Sequence, residues 1–405
     1  MSTKNQQTTQ SGYEQSVSEQ ERGQELLLRA DSATTPRLSV VMPTLNEEEG
    51  ITECIDRIRT AIHELGIPSE IIVSDSSTDR TPEIAREMGA IVVTPDEPGY
   101  GYAYRYAFEH ARGEYIVIGD ADTTYDFEDI PRLLDHLQEE DADMVMGSRL
   151  GGEIKPGAMP ALHQYVGNPA LTKFLNTFYG AGVSDAHSGF RIIRSDSLEA
   201  LDLKTNGMEF ASEMIMEAGA SDMKIVEVPI TYHEREGEAN LESFTDGWRH
   251  VRFMLENAPG YLFSVPGIVL TAIGMLVMGL STFGVPISGV APGVHSMIAG
   301  SLLTIVGYQV ISLGVFAAVT SDPIQKPTDP ITTWAVENIG LEYGAGAGAV
   351  IFGLGAIGAL LLIGQWAASG FSTLTFTTLS LASFTAIVIG TQTVFSSFFL
   401  SAVNQ

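Results

Sequence analysis

The chain has 405 residues and carries 50 acidic against 22 basic side chains, a formal charge of −28. That balance excludes a nonspecific nucleic-acid binder, which needs clustered Lys and Arg. It describes instead a heavily hydrated acidic surface, suited to solubility in high salt. Cys54 is the single cysteine, so there is no intrachain disulfide framework. It falls inside a helical pattern and reads as a small hydrophobe.

Residues 1–35 begin MSTKNQQTTQSGYEQ and lack the basic start and apolar core of a secretory signal. A disordered polar tail is expected, within which QELLLRA could form one short helix. From Leu38 strand and helix signals alternate. LSVVMP predicts a buried strand ended by Pro43, and Ile51, Ile55, Ile58 and Ile62 then recur at helical spacing. EIIVSD and AIVVT predict two more strands, with a helix over 82–88 between them. YAYRYAFEHARG predicts a helix that stops at Gly113, EYIVIGD a fourth strand, and ADMVMGS a fifth after a helix over 130–137. Strands joined by crossover helices imply an α/β layer with a mostly parallel sheet.

Beyond Gly260 the solvent changes. Only four of the acidic residues (Asp322, Asp329, Glu337, Glu342) and one Lys (Lys326) lie there. The uncharged runs are each long enough to cross a bilayer at roughly 20 residues per helix. The expected organisation is a tail over 1–35, a globular domain over 36–240, an amphipathic juxtamembrane segment over 241–259 and a membrane domain over 260–405. Its four helices are expected at about 261–281, 295–319, 344–366 and 378–401, an all-α domain. Arg235, Arg249, His250 and Arg252 precede the first span beside Trp248, Val251 and Phe253, an approach with interface-seeking character that favours a cytoplasmic start.

Ligands of parallel α/β sheets gather at the carboxyl ends of the strands, and YIVIGDADTTYD ends a strand in acid. Asp120 and Asp122 could share one hard cation, Mg2+ or Mn2+, that bridges a diphosphate and stabilises it as a leaving group. Acidic turn residues are also the ordinary content of a solvated turn, and Asp126 belongs to the same run. Asp75 ends the second strand and could meet a nucleobase or ribose, whereas Asp79 could cap the next helix. Pro43 and Asn46 would line a nucleotide pocket or shape a turn. GYGYAYR lacks dinucleotide-fingerprint spacing, although Gly99 and Gly101 could let backbone approach a ligand. Arg149 follows the fifth strand and Lys155 lies in a glycine-rich loop; each would hold a phosphate or pair with a carboxylate. VSDAHSGFR gathers Asp185, His187, Ser188, Gly189 and Arg191 without a zinc set or an arguable Ser–His–acid triad.

In order, VVMPTLNEEEGI, IIVSDSSTDRT, GYAYRYAFEHARGEYIVIGDAD, MVMGSRL, DAHSGFRIIRSD, NGMEFASEMIMEA and VEVPITYHEREGEANL resemble family 2 glycosyltransferases of the GT-A nucleotide-diphospho-sugar transferase fold. The nearest group is the archaeal dolichyl- or polyprenyl-phosphate hexosyltransferases with a C-terminal membrane domain. The resemblance runs from about residue 38 to 255. It implies that Pro43, Asn46 and Asp75 hold the nucleoside, and that Asp120 and Asp122 hold the metal and donor diphosphate. It implies further that Asp185, Ser188, Gly189 and Phe190 shape the donor–acceptor junction, with Glu209 near the sugar. Arg149 and Arg235 would receive the diphosphate or the lipid phosphate. The usual serine–lysine–leucine ending of the acceptor motif reads Ala239–Asn240–Leu241 here, so acceptor contacts would fall to Arg235, Lys155 or another group. The implied partners are a nucleotide sugar (UDP- or GDP-hexose), a polyprenyl or dolichyl phosphate and the bilayer. Asp185 is a base candidate only for a different acceptor, since a lipid phosphate is already anionic. Two rivals stay open: a transferase acting on another lipid or a growing glycan, and a noncatalytic nucleotide sensor or assembly platform.

Overall fold

LSVVMPT forms strand β1 (Leu38–Thr44) in the middle of a seven-stranded sheet, and six of its seven residues are buried. In this computed structural model the described residues are 26–235, 243–258, 260–286, 292–320, 324, 341–372 and 378–403. Two units divide the chain, Met1–Phe253 and Met254–Gln405.

In the first unit β2 (Ser69–Asp75) and β3 (Ile91–Val93) lie on one side of β1, and β4 (Tyr115–Ile118), β6 (Arg191–Arg194), β5 (Met144–Ile154) and β7 (Ile225–Tyr232) follow on the other. β1 to β4 run parallel, as do β5 and β7, whereas β6 is antiparallel to both β4 and β5. The sheet is thus mixed but mostly parallel, as expected. β6 and β7 escape the alternation pattern because β6 is four residues bounded by arginines and β7 is broken by Glu227 and Pro229.

Helices α1 (Ile51–Leu65), α2 (Thr81–Glu87), α3 (Tyr100–Phe108), α4 (Ile130–Glu139), α5 (Asn168–Tyr179), α6 (Ser195–Glu199) and α7 (Phe210–Ala220) connect the strands. α1 buries Ile51, Cys54, Ile55, Ile58, Ala61 and Ile62, the stripe its spacing predicts. Burial pushes the Cys54 thiol up to about 12 and leaves it unreactive. α3 ends at Phe108, five residues before the expected stop. Gly113 serves another purpose: its N–H donates to Ser39 Oγ at 2.9 Å, and a Cβ there would meet the Ser39 nitrogen at 2.6 Å.

The expected tail also ends early. Leu27 bridges Ser69, Leu28 is 7% exposed, and the Arg112 guanidinium donates to the Arg29 carbonyl at 3.0 Å. Residues 26–35 therefore belong to the folded unit, because three successive leucines find apolar cover beside β2. The first 25 residues, Lys326 and the Ala239–Asn240–Leu241 departure lie outside the described residues. Helix α8 (Ser243–Glu256) carries the first unit to Phe253, past the expected limit of 240.

Among its described residues the second unit holds four helices long and apolar enough to span a membrane, Leu262–Phe283, Val294–Thr320, Glu342–Ala368 and Thr378–Val403. They comprise α9 (Val265–Phe283), α10 (Val294–Thr320), α11 (Leu341–Ala368) and α12 (Thr378–Val403). Small residues repeat every seven positions, at Gly267 and Gly274 on α9 and at Gly300 and Gly307 on α10. A Cβ on Gly274 would stand 2.5 Å from the Thr304 nitrogen, so the two backbones touch through these gaps. Gly348 and Gly355 on α11 meet Gly390 and Ser383 on α12 in the same way. Hydrogen bonds Ser301–Thr385 (2.6 Å) and Tyr308–Thr393 (2.7 Å) tie α10 to α12, while large apolar side chains such as Leu276, Leu354 and Phe395 face outward as lipid-exposed surface.

Candidate active site

Strand register brings the chemistry to one edge. Thr44 pairs with Asp75, and β4 ends at Ile118 opposite Val41, so the carboxyl ends of the parallel strands β1, β2 and β4 open on the same edge. Because β6 is antiparallel, its approach through residues 185–190 reaches the same edge, where Arg191 pairs with Ile118 and Met146. Arg149 follows Met146 by three residues, inside a register shift between Ser148 and Glu153. Such a bulge re-aims side chains at the end of a strand.

At this edge Asp120 Oδ1 accepts from the Tyr100 hydroxyl at 2.8 Å. Asp122 Oδ1 accepts from Thr124 N (3.2 Å) and Thr124 Oγ1 (2.6 Å), and its Oδ2 lies 3.7 Å from Arg235 Nε. Arg235 Nη2 donates to Glu47 Oε1 at 2.6 Å, while its Nε is buried with no hydrogen-bond partner. Two glycines permit the crowding. A Cβ on Gly50 would come within 2.9 Å of the Ala121 carbonyl, and one on Gly189 within 3.0 Å of Asp120 Oδ2. Burial and the Asp122 charge raise the Asp120 carboxyl to about 6, although the Tyr100 hydrogen bond works against the rise. Burial raises Glu47 to about 7, opposed by Arg235 and reinforced by Asp122 and Asp120. Three acids share one arginine, a surplus of negative charge that a divalent cation would relieve.

The donor set suits such a cation. Two carboxylates at one strand end suit a Mg2+-type site, which completes its shell with phosphate and water oxygens, better than an all-protein cage. Among the described residues no group of three His, Cys, Asp or Glu side chains forms such a cage.

Other predicted residues divide between this cluster and structural duty. Asp75 is 4% exposed and accepts from Thr44 Oγ1 at 2.7 Å at the end of β2, one register step from Pro43. Asn46 adopts φ 60°; its Oδ1 accepts from Thr78 N at 2.8 Å and its N–H donates to Ser77 Oγ at 2.7 Å, which locks the β1 and β2 end loops together. Asp79 lies one residue before Arg80, the N-cap of α2, and accepts from Thr81 N at 3.0 Å, and Asp126 accepts from Glu128 N at 3.1 Å at the start of a short 3-10 turn. Both are turn acids. Gly99 and Gly101 approach the chain itself: Gly101 N donates to the Asn206 carbonyl at 3.0 Å. Glu209 precedes α7 and folds its carboxylate back over Gly207. Lys155 pairs with Glu153 at 2.7 Å.

Arg149 and Asp185 pair with each other. Arg149 Nε and Nη2 each donate to the Asp185 carboxylate at 2.8 Å, the Arg149 N–H adds a third bond at 2.9 Å, and both side chains are buried. Burial alone would raise Asp185, but the Arg149 hydrogen bonds and charge hold it below the usual carboxylate range. A carboxylate so held is a poor base, and two of the three guanidinium nitrogens of Arg149 are engaged by it. The pair braces the bulge against the 185–190 loop, where Gly189 N donates to Tyr125 Oη at 2.8 Å and Ser188 Oγ is buried without a partner.

His187 has surroundings different from those of the acid cluster. Its Nε2 lies 3.2 Å from Ser212 Oγ, which lies 2.8 Å from His250 Nδ1 on α8. Burial, with help from His250 and Arg149, lowers His187 to about 3. A histidine depressed from its ordinary value near 6.5 supports the fold above that pH, and the support is lost as pH falls toward the folded value, by up to about 1.4 kcal/mol per pH unit. His187→Gln should therefore melt below the parent at pH 7, with the deficit narrowing steadily by pH 4.5. A deficit constant across that range in differential scanning fluorimetry would exclude a neutral buried imidazole.

The chain belongs to glycosyl transferase family 2: that family's model matches residues 39–202, and the model of the family 2 C-terminal transmembrane region matches 317–404. It is 57% identical over 383 residues to the low-salt glycan biosynthesis hexosyltransferase Agl6 of Haloferax volcanii, covering 95% of this chain and 93% of that one. A dolichyl-phosphate hexose transferase of the same organism is 36% identical over 215 residues, or 52% of this chain and 89% of its own length. Among solved structures, glucosyl-3-phosphoglycerate synthase from Mycobacterium tuberculosis with Mn2+, UDP and glucosyl-3-phosphoglycerate aligns at TM-score 0.44 and 24% identity, over 54% of this chain and 79% of that one.

Proposed function

We propose that this enzyme transfers a hexose from a nucleotide sugar to dolichyl or polyprenyl monophosphate. The observation that carries the reading is the cluster of Asp120, Asp122, Glu47 and Arg235 at the sheet edge of a chain with four spanning helices. The names of its Haloferax volcanii relatives agree with it. A lipid phosphate oxygen attacks the anomeric carbon, the bond from that carbon to the donor diphosphate breaks, and the nucleoside diphosphate leaves with the electron pair, inverting the centre. Mg2+ or Mn2+ held by Asp120 and Asp122 would offset the charge that develops on the leaving diphosphate. Asp75 and the Asn46 loop receive the nucleoside, and Ser188 to Phe190 with Glu209 border the sugar. Arg235, its Nε free of hydrogen bonds, meets phosphate; Lys155 is the second candidate for the lipid phosphate. The attacking oxygen is already anionic, so positioning carries much of the rate in place of a general base. In proteoliposomes, turnover should need the nucleotide sugar, a divalent ion and polyprenyl phosphate together. Equal turnover with a glycan or a different lipid in place of polyprenyl phosphate would refute the acceptor.

The globular unit would face the cytoplasm, where nucleotide sugars are made. Arg249 and Arg252 before the first span follow the positive-inside tendency, and four crossings return the C-terminus to the same side. Because Cys54 is buried, a Cys placed at Ser288 should react with an impermeant reagent on intact cells and one at Gln405 should not. Labelling at Gln405 would mean an odd number of crossings.

A further inference from the structure

Arg191 opens strand β6 at the sheet edge that carries the acids, in register with Ile118, two residues before Asp120. Its side chain is only 1% exposed. A buried guanidinium ordinarily takes a carboxylate partner, and the nearby Arg149 and Arg194 do so, with Asp185 and Asp141. Arg191 differs. Among the described residues its hydrogen bonds go only to backbone carbonyls: Nε donates to Ser188 O at 2.9 Å, and Nη2 donates to Ala186 O at 3.1 Å and to Ala211 O at 3.0 Å. Among those residues its Nη1 is buried without a hydrogen-bond partner. Burial lowers the guanidinium from its usual range, opposed by Tyr100, Tyr125, Tyr104 and Asp185, yet an arginine stays protonated inside a protein.

The three carbonyls belong to two segments. Ala186 and Ser188 lie in the 185–190 loop, whereas Ala211 lies in the first turn of α7. In that turn Glu209 O accepts from Ser212 N at 2.9 Å and from Glu213 N at 2.8 Å, so Glu209 moves with Ala211. A second tie joins the same two segments, because His187 Nε2 lies 3.2 Å from Ser212 Oγ. One planar fork thus fixes the spacing between the loop and the Glu209 turn, and the histidine–serine contact repeats the constraint.

We propose that Arg191 is a positioning residue that, together with the Ser212–His187 contact, sets the width of the hexose pocket and thereby which hexose the enzyme accepts. The inference rests on the reading above, in which Ser188 to Phe190 and Glu209 border the sugar. Sugars that differ by one inverted hydroxyl are separated only where polar groups stand at a fixed distance, since a site that hydrogen-bonds a hydroxyl penalises its misplacement. Backbone held by a rigid fork supplies that distance. Lysine is no substitute: its ammonium is a point charge on a flexible stem and does not reproduce the fork.

Calorimetric binding tests this on full-length protein in detergent with Mn2+. The titrants are UDP-glucose and UDP-galactose, GDP-glucose and GDP-mannose, pairs that share a nucleotide and differ at one carbon, and UDP and GDP alone. Discrimination is the ratio of the two Kd values within the pair that the parent separates. Arg191→Lys should lower that ratio about tenfold while the Kd for the free nucleoside diphosphate shifts by less than about twofold. Ser212→Ala keeps the Arg191 bonds and should lower the ratio about threefold, as expected for one lost hydrogen bond. Weaker UDP or GDP binding in step with the sugars would make Arg191 a nucleotide or diphosphate determinant. A lower melting temperature with unchanged discrimination would make it a brace alone. Either result overturns the proposal, as does a parent that binds both members of each pair alike. Should Arg191→Lys not fold, Ser212→Ala decides, and unchanged discrimination there overturns the proposal. A parent that binds none of these nucleotide sugars refutes the enzymatic reading itself; a discriminating parent beside equally discriminating variants refutes this inference alone.

Discussion

Asp122→Asn should lower transfer by at least about 100-fold while the protein stays folded, because several kcal/mol of charge stabilisation at the leaving diphosphate would be lost. The substitution keeps the side chain's shape and its place beside Thr124, whose N–H and hydroxyl both reach Asp122 Oδ1. What changes is charge. The Asp120 carboxyl, raised to about 6 by burial and by Asp122, should fall back toward the ordinary range. The metal-free variant should consequently melt no lower than the parent at pH 7.5 and slightly higher, since a strained pair of like charges has been relieved. Loss of Mn2+ affinity by calorimetry, loss of turnover and an unreduced melting temperature form one expected pattern. Unchanged turnover across a metal titration would remove Asp122 from the metal site, and a collapse in melting temperature would make it a structural turn acid.

Arg149→Leu should destabilise the globular unit by about 3–5 kcal/mol, since the buried Asp185 carboxylate would lose its guanidinium partner. The double substitution Arg149→Leu/Asp185→Leu should recover much of that loss, because an apolar pair can replace a buried ion pair when the volumes match. The measurement is chemical denaturation in detergent, followed through the aromatic signal. The alternative reading, Arg149 as a phosphate ligand, predicts the opposite: near-parental stability, a raised KM for the nucleotide sugar and no rescue by the double substitution.

These two residues also mark how far the sequence could be read. Strand ends were legible because apolar runs stop at polar residues, and parallel connection of β1, β2 and β4 then puts Asp75, Asp120 and Asp122 on one edge. The partner of Arg149 was not legible. Asp185 is 36 residues away, and their pairing depends on β6 returning antiparallel beside β5. Glu47 was hidden inside Glu47–Glu48–Glu49, where three acids before a helix look like one solvated start, although only Glu47 meets Arg235. Tyr100 lies within GYGYAYR, but the crossing that lays its hydroxyl on Asp120 is a tertiary fact. Asp126, continuous in sequence with the site acids, turned away to cap a turn. The four membrane helices were the most legible element, since lipid demands an uninterrupted apolar length that a soluble core does not.

The nucleotide released and the mass of the lipid product, measured together in one reaction, decide the chemistry. Purified protein in liposomes receives polyprenyl phosphate, a divalent ion and a nucleotide sugar labelled in its hexose. Transfer through the anomeric carbon predicts one nucleoside diphosphate released per polyprenyl monophosphate hexose formed, with no release when the lipid is omitted. Nucleoside monophosphate with a lipid diphosphate sugar, or diphosphate release indifferent to the lipid, would contradict it.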